Sequence, residues 1–454
     1  MTAGVDADSS HAAAALTAPA IPLRAWLFVC VLVVFSTVAA VDRTLIAMLV
    51  DPIRKDLHIN DTQIALLMGL AYASAYSLGG LPMGYLADKA PRKWLVYFAV
   101  SFWGLAEAAC GMGTGFLALF LARMGVGLGE SPLHPSAHSM IADTFPKRRL
   151  ATAMSLYSTG NLIGTGAALI IGGWIVNALL HYDHITVPIL GDLKPWQFAF
   201  VITGLPGLLL AMLILPFKEP ARLSHAEGGT GTWLDLWRFV KRNWAVVLCL
   251  GLTFGGMNIF NGALIKWQPT YMSRFFHLNP AEYGMSLGLI YVVAGVGGLL
   301  FSGWLVDRLY AAGHRDAHMR YFMWVIILTS PIVLYGLLSN NLTIYLVTIT
   351  LAKFATVNSL GIAASLVQLI TPPSLRGRMS AIFFLMIMAF MGSTFGPLVP
   401  ALISDYVFHD EVHLGRSMGA TLCIFAPIAV AAILLGRRPL QRALDDARAW
   451  ADAK

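Results

Sequence analysis

The sequence predicts an all-α polytopic membrane protein of twelve transmembrane helices in two pseudosymmetric six-helix bundles. Three observations carry that prediction. Apolar stretches of membrane-spanning length recur from end to end, one long polar interruption falls near the middle, and two polar motifs repeat at closely similar offsets. Of 454 residues, 57% are hydrophobic and only 12% charged, against roughly a quarter charged in soluble domains. The mean hydropathy is +0.69. A soluble chain this long would form about three domains, each with a charged skin. The 31 Lys+Arg and 24 Asp+Glu cannot supply those skins, so a soluble enzyme is excluded.

A helix needs about 20 apolar residues to cross a bilayer. Spans are expected at 24–48, 62–87, 94–113, 116–143, 150–180, 196–217, 244–272, 282–306, 320–338, 341–370, 376–403 and 417–436. The segment 218–243, with Lys218, Glu219, Pro220, Arg222, a Gly-Gly-Thr-Gly stretch and Lys241-Arg242, reads as a cytoplasmic linker. The expected organisation is a cytoplasmic tail (1–23), a bundle (24–217), the linker, a second bundle (244–436) and a cytoplasmic tail (437–454). Residues 1–23 are Ala-rich and carry Asp6 and Asp8 without a basic start or cleavage site. The first span is therefore expected to be its own insertion signal.

Charge placement orients the chain. With both termini inside, most cations fall in cytoplasmic segments, among them Arg24, Arg149, Arg315, Arg320, Arg376 and Arg378. The opposite loops hold only Arg54, Lys55, Lys194, Arg274 and Arg416. This is the asymmetry that sets topology, and it accounts for the net charge of +7 without a nucleic-acid partner. Cys30, Cys110, Cys249 and Cys423 all lie within apolar runs, where single cysteines act as packing residues.

The halves repeat. Gly84-Tyr85-Leu86-Ala87-Asp88-Lys89 closes span 2, and Gly303-Trp304-Leu305-Val306-Asp307-Arg308 closes span 8. Pro146 to Arg149 before span 5 echoes Pro373 to Arg376 before span 11. Repeated halves mark transporters. The stretch from Gly84 through Ala90-Pro91-Arg92-Lys93 resembles the signature loop of the major facilitator superfamily, with Pro91 where a second Gly is usual. The resemblance implies a conformational latch built from Gly84, Asp88, Lys89, Arg92, Lys93, Gly303, Asp307 and Arg308. Glycine would let helices approach closely, and the acid would pair with loop cations when the transporter faces outward.

Ionisable groups at membrane depth need a reason. The candidates are Asp42, Arg43, Glu107, Arg123, Glu130, Lys266 and Lys353. All but Glu107 lie on spans 1, 4, 7 and 10, which line the central cavity in the family resembled. Arg123, Gly127, Glu130 and His134 are spaced to share one helical stripe. Arg123 and Glu130 lie roughly 10 Å apart along it, so each is expected to meet a partner on another helix. The expectation is that Arg123 answers one carboxylate, while Arg43 is free for a substrate anion or for Glu130. Glu130 and Asp42 are the proton-coupling candidates, since burial and a movable cation pull a carboxylate in opposite directions. A purely structural ion pair is the alternative.

Asp42-Arg43 with Arg123-Met124-Gly125-Val126-Gly127-Leu128-Gly129-Glu130, and the segment from Ala137 to Pro146, resemble the Spinster branch. Its members move lysophospholipids and sphingosine phosphate. The resemblance makes Asp42 and Glu130 the coupling acids, makes Arg43 and Arg123 their cations, and implies a bacterial inner membrane. Thr44, where many relatives carry Tyr, and Ser131-Pro132 after the acid are departures. Organic-anion symporters of the same superfamily share Asp-Arg in span 1 and Glu in span 4.

Asn261 occupies the position in the second half that corresponds to Asp42. Lys353 reads either as a second anion contact or as a snorkelling side chain. Lys266 is placed near the outer interface. Tyr291, Phe254, Phe260 and Met257 are available as an apolar wall, and core packing is the plainer reading. The glycines of span 4, Gly160 with Gly164, and Gly392 with Gly396 read as helix contacts, not as a nucleotide loop. His134 and His138 lack a third metal ligand, and His134 joins the substrate-binding candidates with Arg43, Arg123, Lys353 and Asn261.

The expected function is proton-coupled secondary transport of an amphiphilic anion by a monomer in contact with membrane lipids. No cofactor is expected beyond the proton gradient. Transport of a small organic acid, and a non-transporting receptor or scaffold, are the alternatives.

Overall fold

The structure, a computed structural model, describes residues 22–188, 190–222, 232–313, 316–372 and 374–452. The N-terminal half contains α1 (Leu23–Met48), α2 (Val50–Leu57), α3 (Asp61–Leu66), α4 (Tyr72–Lys89), α5 (Arg92–Cys110), α6 (Phe116–Glu130), α7 (Leu133–Thr144), α8 (Lys147–Leu179) and α9 (Pro195–Ala211). The C-terminal half follows with α10 (Trp233–Arg242), α11 (Trp244–Phe276), α12 (Pro280–Ala311), α13 (Ala317–Leu338), α14 (Leu342–Thr356) and α15 (Ser359–Ile370). It closes with α16 (Arg376–Ile382), α17 (Gly396–Ile403) and α18 (Leu414–Asp452).

These elements make the twelve expected crossings, with α3–α4, α6–α7, α14–α15 and α16–α17 each composing one. Among the described residues, nine helical stretches are long and apolar enough to cross a membrane by themselves. The other crossings are α5, which carries Arg92, Lys93 and Glu107, and α3–α4 and α16–α17. The last two are interrupted by π-helical segments, Leu67–Ala71 and Phe383–Phe395. Such segments often sit at functional positions. Leu78, Val293 and Leu435 are among many large apolar side chains left exposed, as befits a surface meeting acyl chains.

Local chemistry explains the boundaries. Asn60 with Gln63 and Asn279 with Glu282 form capping boxes at the starts of α3 and α12, satisfying first-turn N–H groups. Span 4 breaks at Ser131-Pro132, so α6 ends at Glu130 and α7 begins at Leu133. Pro132 has no N–H to continue the ladder.

Three features differ from expectation. The linker holds an amphipathic helix, α10, capped by Thr232 and Asp235, with Trp237 exposed and Phe239 buried. The last span and the tail beyond 436 are one helix, α18, running through Pro427 and Pro439. A short antiparallel hairpin, β1 (Ile185–Val187) and β2 (Gly191–Leu193), joins α8 to α9.

The two halves meet where α8 packs along α12. A Cβ on Gly284 would lie 2.2 Å from the Leu169 carbonyl oxygen, so this approach requires glycine. The α3–α4 crossing meets α16–α17 on the other side, where Ser77 donates to the Leu385 carbonyl at 3.3 Å.

Candidate functional site

Asp42 and Arg43 are neighbours on α1, so their side chains diverge by about 100°. Each finds a different helix. The Trp103 indole on α5 donates to Asp42 Oδ2 at 3.1 Å. Arg43 Nη1 donates to Glu130 Oε2 on α6 at 2.5 Å. Tyr72, at the first turn of α4, donates its hydroxyl to the same Glu130 oxygen at 2.9 Å, and Arg43 reaches the Tyr72 oxygen at 3.3 Å. Arg123 Nη1 donates to Glu107 Oε2 at 3.0 Å, both side chains fully buried. Gly127 sets this geometry. A Cβ there would lie 2.3 Å from the Tyr72 carbonyl oxygen, so only glycine lets α6 come near enough for Tyr72 to reach Glu130.

The cluster is under-satisfied. Asp42 Oδ1, Glu107 Oε1, Glu130 Oε1, Arg43 Nη2, and Arg123 Nε and Nη2 are buried without a hydrogen-bond partner. Buried polar atoms are normally paired. Three carboxylates with a spare oxygen each, beside guanidinium groups with spare donors, can take up protons and hold an anion.

The predicted residues divide. Arg123 answers a carboxylate as expected, but that carboxylate is Glu107 on span 3, outside the spans singled out as cavity-lining. Arg43 holds Glu130. Trp103 and Tyr72, acceptor-seeking donors at membrane depth, are site residues the sequence reading missed. The stripe from Arg123 to His134 is broken at Ser131-Pro132, and the Tyr157 hydroxyl pairs with His134 Nδ1 at 2.7 Å. Lys266 corrects its placement near the outer interface. Its Nζ donates to the Arg43 carbonyl at 2.5 Å, because one face of α11 abuts α1. Lys353 stands apart with Nζ 4.1 Å from the Tyr291 ring centre, a cation–π contact. Asn261 lines a separate pocket with Met257, Phe260, Leu264, Thr329 and Ser330.

At the face carrying the termini, taken as the inner face, the latch residues act within their own half. Arg92 is buried against Ser139 at 2.8 Å, against Asp143, and against Glu219. Lys93 donates to the Leu215 carbonyl at 2.6 Å. Lys89 and Arg308 lie over the rings of Tyr85 and Trp304. The expected close approach at Gly84 is absent, since a Cβ there would meet nothing within 4 Å, and at Gly303 only Asn358 Nδ2 at 3.9 Å. Inner-end contacts of this kind depend on how the halves are tilted. The side chains of Asp88, Lys147 and Arg148, and the whole of Arg315 and Pro373, lie outside the described residues.

At the opposite, outer face the halves are joined. Arg274 of α11 forks onto Asp61 at 2.7 and 2.9 Å and onto Asp51 Oδ1 at 2.7 and 2.9 Å. Arg54 grips Glu411 at 2.8 and 2.6 Å, which holds the Glu411 carboxyl below its ordinary range. Thr62 donates through N–H and hydroxyl to Asp405 at 2.7 and 2.6 Å. Among the described residues, every ion pair between the halves lies at this face. The acids among the outer-loop cations were the available signal for it.

Two six-helix halves around a buried acid–cation cluster, shut at one face, are the architecture of an alternating-access carrier. The family model described as "Major Facilitator Superfamily" matches residues 32–386. The chain belongs to the Major Facilitator Superfamily. It is a transporter and not an enzyme. An MFS-type efflux pump of Mycolicibacterium smegmatis is 27% identical over 410 residues, covering 87% of this chain and 89% of that protein. Protein spinster homolog 1 of Homo sapiens is 28% identical over 263 residues, covering 56% of this chain and 47% of that protein. A probable L-galactonate transporter of Escherichia coli is 24% identical over 292 residues, covering 60% and 59%. Among solved structures, a bacterial homolog of the human lysosomal transporter Spinster, inward-facing and unoccupied, superposes with a TM-score of 0.79. It is 22% identical, with 94% of this chain and 99% of that one covered. The superfamily fold and its Spinster-like form are thus as the sequence motifs implied.

Proposed function

We propose that this superfamily member is a proton-coupled secondary active transporter of an amphiphilic anion, such as a lysophospholipid or sphingolipid phosphate, in a bacterial inner membrane. The carrying observation is the Arg43–Glu130 pair at 2.5 Å with a spare donor on Arg43 and a spare acceptor on Glu130. A proton on Glu130 removes the charge that holds Arg43, and the freed guanidinium can then bind an anionic headgroup. Asp42, which accepts from Trp103, is the second proton carrier. The Asn261 pocket is mostly apolar, with Met257, Phe260, Leu264, Val333 and Leu422 in its wall. Its volume of about 10 Å³ admits about one water, so the lipid reading draws its support from the spinster homolog among the relatives.

The second reading is a symporter of small organic acids. The galactonate transporter among the relatives favours it.

Purified protein in liposomes with an imposed pH gradient tests the proposal. Labelled sphingosine phosphate and a lysophospholipid should move, galactonate should not, and Glu130→Gln should remove the dependence on the gradient. Flux of galactonate alone would establish the second reading. No gradient-dependent flux of any of the three, with Glu130→Gln indistinguishable from wild type, would favour a receptor or scaffold.

A further inference from the structure

The C-terminal half reaches the buried acid cluster through Lys266. Its Nζ donates to the Arg43 carbonyl at 2.5 Å, and it stands within charge–charge range of Glu107, Glu130, Arg43 and Arg123. Asp42, Glu107, Glu130, Arg43 and Arg123 all belong to the N-terminal half. Ionised, they hold three negative and two positive charges, one positive charge short of neutrality. Lys266 supplies it. The same helix, α11, carries Arg274 eight residues further on, roughly 12 Å by helix rise, where it shuts the outer face. Both lie on one continuous helix that runs through Pro269, so a movement of α11 as a whole withdraws the gate cation and the cluster cation together.

We infer that Lys266 couples movement of the C-terminal half to protonation of the N-terminal carboxylates. Its ammonium neutralises the cluster while the outer face is shut, and a proton from the outer solution replaces it when that face opens. The step is a carboxylate plus a proton giving a carboxylic acid, with no other bond changed. The inference rests on the proton-coupled reading above. Buried charge without compensation is costly, so the cluster holds either the lysine or the proton. High pH then favours outer closure and low pH favours outer opening.

The test needs no substrate. With the four cysteines replaced by alanine, spin labels at Lys55→Cys and Val412→Cys report the outer distance between pH 8.5 and 5.5. This window lies above the titration of Glu411, whose carboxyl Arg54 holds below its ordinary value of 4.5. The wild-type open-to-closed ratio should rise about tenfold on acidification. Lys266→Gln should flatten that slope, because the cluster charge no longer differs between the two states. Lys266→Arg should restore it. Glu107→Gln, which leaves the cluster neutral without Lys266, should favour the open state even at pH 8.5 and decides the matter if Lys266→Gln does not fold. A wild-type slope in folded Lys266→Gln, or a closed Glu107→Gln at pH 8.5, overturns the inference while proton-driven flux stands. A flat wild type without proton-driven flux overturns both readings.

Discussion

Asp61 and Arg274 stand in opposite halves of the chain, 213 residues apart, and meet through two hydrogen bonds at 2.7 and 2.9 Å. Asp61 is fully buried and also forms an ion pair with Arg54, whose Nε lies 3.2 Å away. Removing one partner of a buried pair strands the other charge. Asp61→Asn should therefore raise the outer-open population by about tenfold or more, read as the Lys55–Val412 label distance. An unchanged distance distribution would remove the gate role from this pair.

The Arg54–Glu411 contact predicts the pH range of that closure. Hydrogen bonds and charge from Arg54 pull the Glu411 carboxyl below its ordinary value of 4.5. A carboxyl lowered in the closed state contributes to closure above its ordinary value and loses that contribution as pH falls through the lowered one. Closure through this pair should be level from neutrality down to the ordinary value of 4.5 and weaken as pH falls below it. Glu411→Gln should abolish that acid limb. An equal acid limb in the variant would remove Glu411 from that closure.

Trp103 is the hydrogen-bond donor to Asp42 Oδ2, and both are buried. Trp103→Phe keeps most of the ring packing and withdraws the donor. Leaving a buried acceptor unmade costs about 1–3 kcal/mol. The melting temperature in detergent should fall by several degrees, and Asp42→Asn on the same background should recover part of the loss. Additive losses would separate the two residues.

Gly127→Ala places a methyl 2.3 Å from the Tyr72 carbonyl oxygen. Two backbones must move apart, at a cost of about 1–3 kcal/mol, and Tyr72 loses its reach to Glu130. The variant should be less thermally stable and lose gradient-driven flux by at least about tenfold. Tyr72→Phe should lose flux with little change in melting temperature. Wild-type flux in Gly127→Ala would show that the close approach is not needed.

Hydropathy determined the number of crossings, because each must bury about 20 apolar residues whatever its neighbours do. The repeated loops of Gly84–Arg92 and Gly303–Arg308 determined the two halves. Scarcity of charge determined the list of residues at membrane depth, since each such group is costly wherever it points. Pairing within that list was decided by tertiary structure alone. Asp42 and Arg43 are adjacent in the chain, yet one meets Trp103 and the other Glu130, because helix rotation sends them to different neighbours. Arg123 meets Glu107, and Lys266 reaches Arg43 from the other half, through tilts and distances that one-dimensional spacing does not carry. The break at Ser131-Pro132 was visible as a proline, whereas its consequence, His134 turned to Tyr157, was not. The outer closure of Arg274 with Asp51 and Asp61 joins segments more than 200 residues apart. Only the packed halves bring those charges within hydrogen-bond range.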